Sequence, residues 1–315
     1  MTANLDSIRT NLWPSRVAIT DVAPRDGLQN ESYPVSTREK VALIEGLIEA
    51  GVRRIETTSF VHPKAVPQMA DAAEVIAGVP KRSDVVYHAL IPNLKGYERA
   101  LACGVTHMGL VICLTESMNQ ANIRMSVGET LEVSRVVMDR SRVDGVTLRI
   151  YLSVAFVCPF EGVQQPGKAV ELADAIMALG PEELCLADTV GRGTPNQVAA
   201  LVALLRHRHD LNRISAHFHN TYDLALANTI AALQQGLARF DSSVAGLGGC
   251  PFSPGATGNA ATEDLVNMLN GMGVETGIDL DKLCKVSAEV ERFSGRMPAS
   301  AYYRAWTSRK RSQSA

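Results

Sequence analysis

Residues 37–60 read TREKVALIEGLIEAGVRRIETTSF, a helical pattern followed at once by a short β-branched run. Apolar side chains recur every three to four residues up to Gly51, and Ser36 or Thr37 supplies a helix start signal. Glycine commonly ends a helix because it adopts the left-handed conformation without strain. The stretch therefore predicts a helix over 37–50 and a strand over 53–57.

The same alternation of strand and helix continues along most of the chain. Strands are predicted over 17–21, 53–57, 85–90, 107–112, 147–154, 183–187, 214–218 and 240–244. Helices are predicted over 37–50, 68–78, 94–103, 127–143, 167–179, 195–208 and 222–236. Eight strand–helix units in a row favour a parallel sheet that closes into a (β/α)8 TIM barrel.

We expect residues 1–315 to form a single domain with three parts. The barrel takes about 17–258, and a C-terminal helical layer over about 259–300 is built from the patterns at 261–272 and 279–293. The polar end of the chain, about 306–315, is expected to be frayed.

Composition excludes several classes of protein. Hydrophobic residues make up 46% and charged residues 20%, which is typical of a globular chain. The net charge of −2 argues against a nucleic-acid partner. No apolar run reaches the ~18 residues of a membrane span, and the six cysteines form no CxxC pair. We expect a cytoplasmic protein with neither a nucleic-acid nor a membrane partner.

The barrel prediction directs attention to the carboxyl ends of the strands, where barrel enzymes carry their catalytic groups. Arg25 and Asp26 follow the first strand, Glu56 belongs to the second, and Asp188 ends the sixth. Each has a structural alternative: a polar turn with an internal Arg25–Asp26 pair, a buried ion pair between Arg25 and Glu56, or a loop held by Asp188.

The seventh strand reads ISAHFHN over 214–220. His217 and His219 are two residues apart, so on a strand both imidazoles point to one face and can reach one ion. His207 and His209 have the same spacing but lie at a polar helix end, where such side chains diverge, so we interpret that pair as surface.

The glycine-rich stretch 242–264 follows the eighth strand and is typical of a loop that can close over a site. It contains Cys250, either a buried packing residue or an acid–base group, and the amide of Asn259. Asp26, His217, His219 and Asn259 together form a nitrogen and oxygen donor set without thiolates. Such a set favours Mg²⁺ or Mn²⁺.

The sequence resembles the 3-hydroxy-3-methylglutaryl-CoA lyases, metal-dependent enzymes built on a TIM barrel. The resemblance covers roughly residues 17–281. It depends on these segments: APRDGLQNE (23–31), IETTSFVHPKAVPQM (55–69), LADTVGRGTP (186–195), HFHNTYDLALAN (217–228) and SVAGLGGCPFSPGATGNAATEDLVNML (243–269).

The resemblance implies a role for each candidate. The implied metal ligands are Asp26, His217, His219 and Asn259. Arg25 would stabilise the thioester enolate, Cys250 would be the acid of the loop, and Asp26 or His217 the base. Glu56 and Asp188 would support the site. The family also implies an acyl-CoA substrate and a homo-oligomer, a dimer or higher.

Two segments depart from the usual lyase pattern and bear on the substrate. Asn220–Asp223 reads NTYD where DTYG is expected, and residues 155–157 read AFV where smaller or more polar residues are common. A lyase for citramalyl-CoA or methylmalyl-CoA is therefore an alternative. An isopropylmalate-type synthase and a non-catalytic CoA-ester binder are further alternatives, and the Gly-Gly-Cys-Pro loop argues against the synthase.

Overall fold

The computed structural model describes residues 13–31, 33–249 and 258–313. Eight parallel strands close into a barrel in which each pairs with the next and the last pairs with the first. The strands are β1 (Ala18–Asp21), β2 (Arg54–Ser59), β3 (Val86–Leu90), β4 (His107–Cys113), β5 (Thr147–Ser153), β6 (Glu183–Asp188), β7 (Ile214–Phe218) and β8 (Arg239–Ser242). The predicted (β/α)8 TIM barrel is confirmed.

Helices surround the barrel. They are α1 (Thr37–Glu49), α2 (Ala72–Gly78), α3 (Leu94–Ala102), α4 (Glu116–Ile123), α5 (Val127–Asp144), α6 (Pro166–Ala178), α7 (Pro195–Leu205) and α8 (Ala225–Gln234). The signals at both ends of α1 act as the sequence predicts. The Ser36 hydroxyl accepts from the N–H of Glu39 at 3.3 Å while the Glu39 carboxylate accepts from the N–H of Ser36 at 2.9 Å. Gly51 has a φ of +101°.

Two elements on the rim of the barrel were not predicted. Helix α4 reads ESMNQANI, which has too few apolar residues to show a helical period. A short hairpin pairs Val157–Cys158 with Gly162–Val163. Helix α2 also begins four residues later than predicted, because a 3₁₀ turn at Pro67–Met69 precedes it.

Three helices follow the barrel: α9 (Thr262–Gly271), α10 (Leu280–Ser294) and α11 (Ala301–Gln313). The prediction of a frayed tail at 306–315 was wrong for residues 306–313, which belong to α11. Trp306 stacks on Tyr303 with 5.9 Å between ring centroids, and its indole N–H donates to Asp281 at 2.7 Å. The Trp306 side chain is therefore buried and holds the helix in place, although the sequence around it is polar.

Within the described ranges, no helix is both long and apolar enough to cross a bilayer.

Candidate active site

The turn after β1 carries two predicted site residues. Ala23–Gly27 form one wide helical turn, and Arg25 and Asp26 on it line a cavity at the carboxyl end of the barrel. Asp21, the last residue of β1, accepts from the first N–H of this turn at 2.9 Å and from the N–H of Val244 at 3.0 Å. The turn is therefore fixed to the segment that follows β8.

Three side chains converge on one point beside this turn. His217 lies in β7 and His219 directly follows it, and their Nε2 atoms lie 3.8 and 3.6 Å from Oδ2 of Asp26. Ligand atoms that share one divalent ion lie roughly 3–4 Å apart, because each bond is about 2.0–2.3 Å long. The three residues can therefore bind a single ion.

The second His-x-His pair behaves differently. It lies past the end of α7, where His207 is exposed and His209 contacts Asp174 at 2.7 Å. This pair therefore lies at the surface, as interpreted from the sequence, whereas His217 and His219 are buried.

Asn259 reaches the same point as His217 and His219. Its Nδ2 donates to Oδ2 of Asp26 at 3.0 Å and to the carbonyl of Leu247 at 3.0 Å. Among the described residues, the buried Oδ1 of Asn259 has no hydrogen-bond partner. A buried acceptor left without a partner costs free energy unless a donor or a cation completes it. This unused oxygen, one carboxylate and two imidazoles fit a hard divalent cation such as Mg²⁺ or Mn²⁺.

Electrostatics favours the ligand forms of these groups. Burial would raise the pKa of Asp26, but the Arg25 guanidinium and the two histidines hold that pKa well below its usual range. Burial lowers the pKa of His219, so its ring is neutral at pH 7. A charged carboxylate and a neutral imidazole are the forms that bind a metal ion.

A buried ion pair lies next to the candidate metal centre. Arg25 Nε donates to Glu56 Oε2 at 2.5 Å, and its Nη1 donates to Asp26. The Tyr151 hydroxyl donates to the other oxygen of Glu56 at 2.9 Å. Burial would lower the pKa of Arg25, but the two carboxylates raise it, so the guanidinium stays charged. The predicted Arg25–Glu56 pair is present, with Glu56 inside β2 rather than at its end.

Asp188 holds a loop. Its two carboxylate oxygens accept from the backbone N–H groups of Arg192 at 3.1 Å and Gly193 at 2.9 Å. Burial raises the pKa of Asp188 to about 6, against the lowering effect of those N–H groups. These contacts match the structural alternative that the sequence left open for this residue.

Two residues near the site were missed by the sequence reasoning. Tyr151 sits in β5, where an aromatic residue looks like ordinary strand packing. Asp241 in β8 has Oδ2 3.3 Å from Nδ1 of His217. A charged residue inside a strand of a barrel is the signal that could have singled out Asp241, because burial of a charge requires partners.

The cavity above these groups has a volume of about 450 Å³. Its floor is formed by Arg25, Asp26, His217 and His219. Part of its lining is apolar, and we call these five residues the apolar wall: Leu90, Ile91, Val111, Met118 and Ile123.

Cys250 lies outside the described residues, so its predicted role stays a prediction. The residue before it, Gly249, lines the cavity, and its carbonyl accepts from Asn30 Nδ2 at 3.0 Å. The last described residue before this part of the loop therefore contacts the cavity.

Neither unusual segment lines the described cavity. Phe156 is buried against Phe218, with 6.2 Å between ring centroids. Asp223 occupies a left-handed position with φ +57°, and its carboxylate accepts from Asn220 Nδ2 at 3.1 Å. Aspartate is one of the few residues that tolerate the conformation a glycine would take there. These changes therefore affect a turn and the outer packing.

The sequence profile of the HMGL-like family matches residues 16–290. This chain belongs to the HMGL-like family. Members similar to it include the mitochondrial hydroxymethylglutaryl-CoA lyase of Rattus norvegicus, 45% identical over 86% of this chain and 83% of the relative. The 3-hydroxy-3-isohexenylglutaryl-CoA/hydroxy-methylglutaryl-CoA lyase of Pseudomonas aeruginosa is 42% identical over 91% and 96%.

A solved structure of an HMGL-like protein has the same fold. The crystal structure of hydroxymethylglutaryl-CoA lyase from Pseudomonas aeruginosa superposes with a TM-score of 0.92 at 40% identity, covering 95% of this chain and 99% of that one. The resemblance to 3-hydroxy-3-methylglutaryl-CoA lyases that the sequence predicts is confirmed.

Proposed function

We propose that this protein is a 3-hydroxy-3-methylglutaryl-CoA lyase that releases acetyl-CoA and acetoacetate. The observation that carries the proposal is the convergence of Asp26, His217 and His219 beside the charged Arg25 on the floor of one cavity. Metal-ligating groups next to a fixed cation suit a reaction in which negative charge develops on two oxygen atoms.

The cleavage breaks one carbon–carbon bond. The 3-hydroxyl of the substrate loses its proton and becomes a ketone oxygen, while the C2–C3 bond breaks and its electron pair forms the enolate of acetyl-CoA. Protonation at C2 completes the products. The protein must therefore accept one proton, stabilise an enolate oxygen and return one proton.

Asp26, His217, His219 and Asn259 are the residues that would hold a divalent cation. A cation bound there lowers the pKa of a hydroxyl that coordinates it, as it does for water. Asp26 is the stronger candidate for the base that takes the hydroxyl proton, because a cation would use Nε2 of His217 while Nδ1 of that ring faces Asp241.

Arg25 would stabilise the enolate oxygen. The Glu56 carboxylate fixes the guanidinium at 2.5 Å, and Tyr151 fixes Glu56 in turn at 2.9 Å. A donor that is already oriented needs no reorganisation when charge develops, which is why such groups lower activation barriers strongly. Cys250 would return the proton at C2, since a thiol with an ordinary pKa near ~8.5 is mostly protonated at pH 7.

The test is acetoacetate release from 3-hydroxy-3-methylglutaryl-CoA by the purified chain, with Mg²⁺ or Mn²⁺ and with a chelator. We expect metal-dependent turnover that His217→Ala lowers by at least 100-fold. His207→Ala is the matched control, because it changes the first histidine of the exposed pair and should leave turnover unchanged. Turnover that persists in the chelated protein would contradict the metal centre, and absence of cleavage with metal supplied would contradict the substrate.

A second substrate follows from the apolar wall and from the Pseudomonas relative. That relative's name includes a substrate with an isohexenyl group in place of the methyl group. The wall formed by Leu90, Ile91, Val111, Met118 and Ile123 offers apolar contact to a larger 3-alkyl group. A panel with 3-hydroxy-3-methylglutaryl-CoA, a longer 3-alkyl analogue, citramalyl-CoA and methylmalyl-CoA ranks these candidates by kcat/KM.

Assembly and location belong to the same proposal. We expect a homo-oligomer, a dimer or higher, as the resemblance to the lyases implies, and a location in the cytoplasm, which the bacterial lyase relative supports. Light scattering on the purified protein measures the oligomeric state, and a monomer at working concentration would contradict that part.

A further inference from the structure

We propose that Asp241 is a positioning residue that fixes the tautomer of His217, so that the lone pair of Nε2 faces the metal centre. The inference rests on the proposed metal site. It concerns the other side of the imidazole ring, where no metal ligand lies.

The two nitrogens of His217 have different neighbours. Nδ1 lies 3.3 Å from Oδ2 of Asp241, and Nε2 lies 3.8 Å from Oδ2 of Asp26. A carboxylate only accepts hydrogen bonds, so the Asp241 contact requires the ring proton on Nδ1. A neutral imidazole has one proton, and Nε2 is then left with the lone pair that a metal ion needs.

Arg149 holds Asp241 in this orientation. Its Nη2 donates to both oxygens of Asp241, at 3.0 and 3.2 Å, and lies 2.9 Å from Glu183 Oε1. Glu183 in turn contacts Arg54 at 2.9 Å and Arg239 at 2.8 Å. Charges of alternating sign therefore run through the barrel interior from its amino-terminal end to His217.

The ring plane of His217 is restrained as well. The Tyr151 ring meets it edge-on at 90°, with 6.2 Å between centroids. The Arg149 guanidinium lies 4.5 Å from the centroid of the same Tyr151 ring. Arg149 thus contacts both groups that orient His217.

Stability alone does not account for this buried charge array. Barrel interiors are usually filled by branched aliphatic side chains, and buried ion pairs are often no better than an apolar core. Arg149 is 1% exposed, and its Nε and Nη1 have no hydrogen-bond partner among the described residues. The array costs free energy at Arg149, and its upper end is the histidine of the metal centre.

The isosteric change Asp241→Asn tests the inference because an amide has only one acceptor. Arg149 Nη2 lies 3.0 Å from Oδ1 and 3.2 Å from Oδ2, so this charged donor favours the amide oxygen at the nearer position, which leaves the amide NH₂ toward His217. Nδ1 of His217 must then accept, and the ring proton moves to Nε2, which faces Asp26. We expect the affinity for Mn²⁺ to fall about 10- to 100-fold, as for other supporting groups of metal ligands.

A second variant removes Arg149, the donor that orients the new amide. In the double variant Arg149→Met/Asp241→Asn nothing forces the amide oxygen away from His217, so it can accept from Nδ1–H again. Glu183 keeps Arg54, Arg239 and Ser215 as partners. We therefore expect the double variant to bind Mn²⁺ more tightly than Asp241→Asn alone, a rescue that a merely structural role of Asp241 would not give.

The experiment has two readouts on the full chain. Titration of the metal-free protein with Mn²⁺, followed by the electron paramagnetic resonance of free Mn²⁺, gives the dissociation constants. Nitrogen-15 shifts of the histidines give the tautomer of His217 without metal. Glu263→Gln is the control, since Glu263 is an equally buried acid whose contacts are Ala245 and Ser287.

The outcomes separate the inference from the proposed function. Wild-type His217 with its proton on Nε2, or an Asp241→Asn variant with wild-type tautomer and Mn²⁺ affinity, would overturn the positioning role. A wild type that shows the Nδ1–H tautomer but binds no Mn²⁺ would overturn the metal site while the orientation by Asp241 holds. The wild-type spectrum needs no variant, so the test survives a variant that fails to fold.

Discussion

The close approach at Gly27 allows a sharp test of how tightly the site is held. Gly27 ends the turn that carries Arg25 and Asp26, and a Cβ added there would lie 2.8 Å from Cβ of Leu247 and 3.0 Å from Oγ of Ser243. Carbon atoms in contact are about 3.5–4.0 Å apart. Gly27→Ala must therefore push the turn and the Leu247 segment apart by about 0.7–1.2 Å.

A displacement of this size affects catalysis more than stability. Leu247 supplies the carbonyl that holds the Asn259 amide at 3.0 Å, so both sides of the proposed metal centre move apart. Displacing catalytic groups by about 1 Å can cost about 100-fold in rate, whereas overpacking by one methyl group costs about 1–3 kcal/mol. We expect Gly27→Ala to fold, with kcat/KM about 100-fold lower and Mn²⁺ bound more weakly.

The assay is steady-state cleavage of 3-hydroxy-3-methylglutaryl-CoA, together with thermal unfolding. Gly128→Ala is the matched control, because among the described residues no atom beyond its own helical turn lies within 4 Å of the added Cβ, and it is in the first turn of α5. That change should leave kcat/KM unchanged and stabilise the fold by about 0.5–1 kcal/mol. A folded Gly27→Ala protein with kcat/KM within threefold of wild type would refute the reasoning.

Three further predictions concern other parts of the molecule. Tyr151→Phe removes the hydroxyl that orients Glu56, and we expect about a tenfold loss of kcat in the cleavage assay and about 1–2 kcal/mol of stability. Burial raises the pKa of Glu263 to about 7, above the unfolded value near 4.5, so its favourable contribution is complete below pH 4.5 and lost as pH rises through 7. In urea unfolding, the free energy of unfolding of Glu263→Gln should therefore rise by about 2–3 kcal/mol relative to that of wild type between pH 5 and pH 8. A difference that stays constant with pH would contradict this. Trp306→Ala removes the stacking and the bond to Asp281, and should cost about 2–4 kcal/mol in urea unfolding, with an unchanged free energy speaking against anchoring of α11.

The barrel was predictable because its signals are local. Most of the strands contain β-branched residues and lie between turn residues, and the capping box at Ser36 and the glycine at 51 mark the two ends of α1. Helix α11 was missed because it is held in place by the hydrogen bond from Trp306 to Asp281, a contact between residues that are distant in sequence. Local polarity could only suggest a frayed end.

In the candidate site too, residues with local sequence signals were predicted and residues that depend on distant partners were missed. His217 and His219 were predictable because strand geometry alone places them on one face, and Asp26 because it follows a strand end. The partners of Tyr151 and Asp241 were not predictable, even though the buried charge of Asp241 could have marked that residue, since those partners are side chains of other strands that close the barrel. Spacing along one strand carries no information about which strand faces it across the interior.

The position of Glu183 has a consequence for how the barrel assembles. This carboxylate from β6 meets Arg54 of β2, Arg149 of β5 and Arg239 of β8, so its partners come from both halves of the chain. A polypeptide cut between β4 and β5 would separate Arg54 from its acid, while Glu183 on the other fragment would keep only Arg149 and Arg239. Separately produced halves should therefore stay unfolded or aggregate alone and acquire structure only when mixed, as a single cooperative unit.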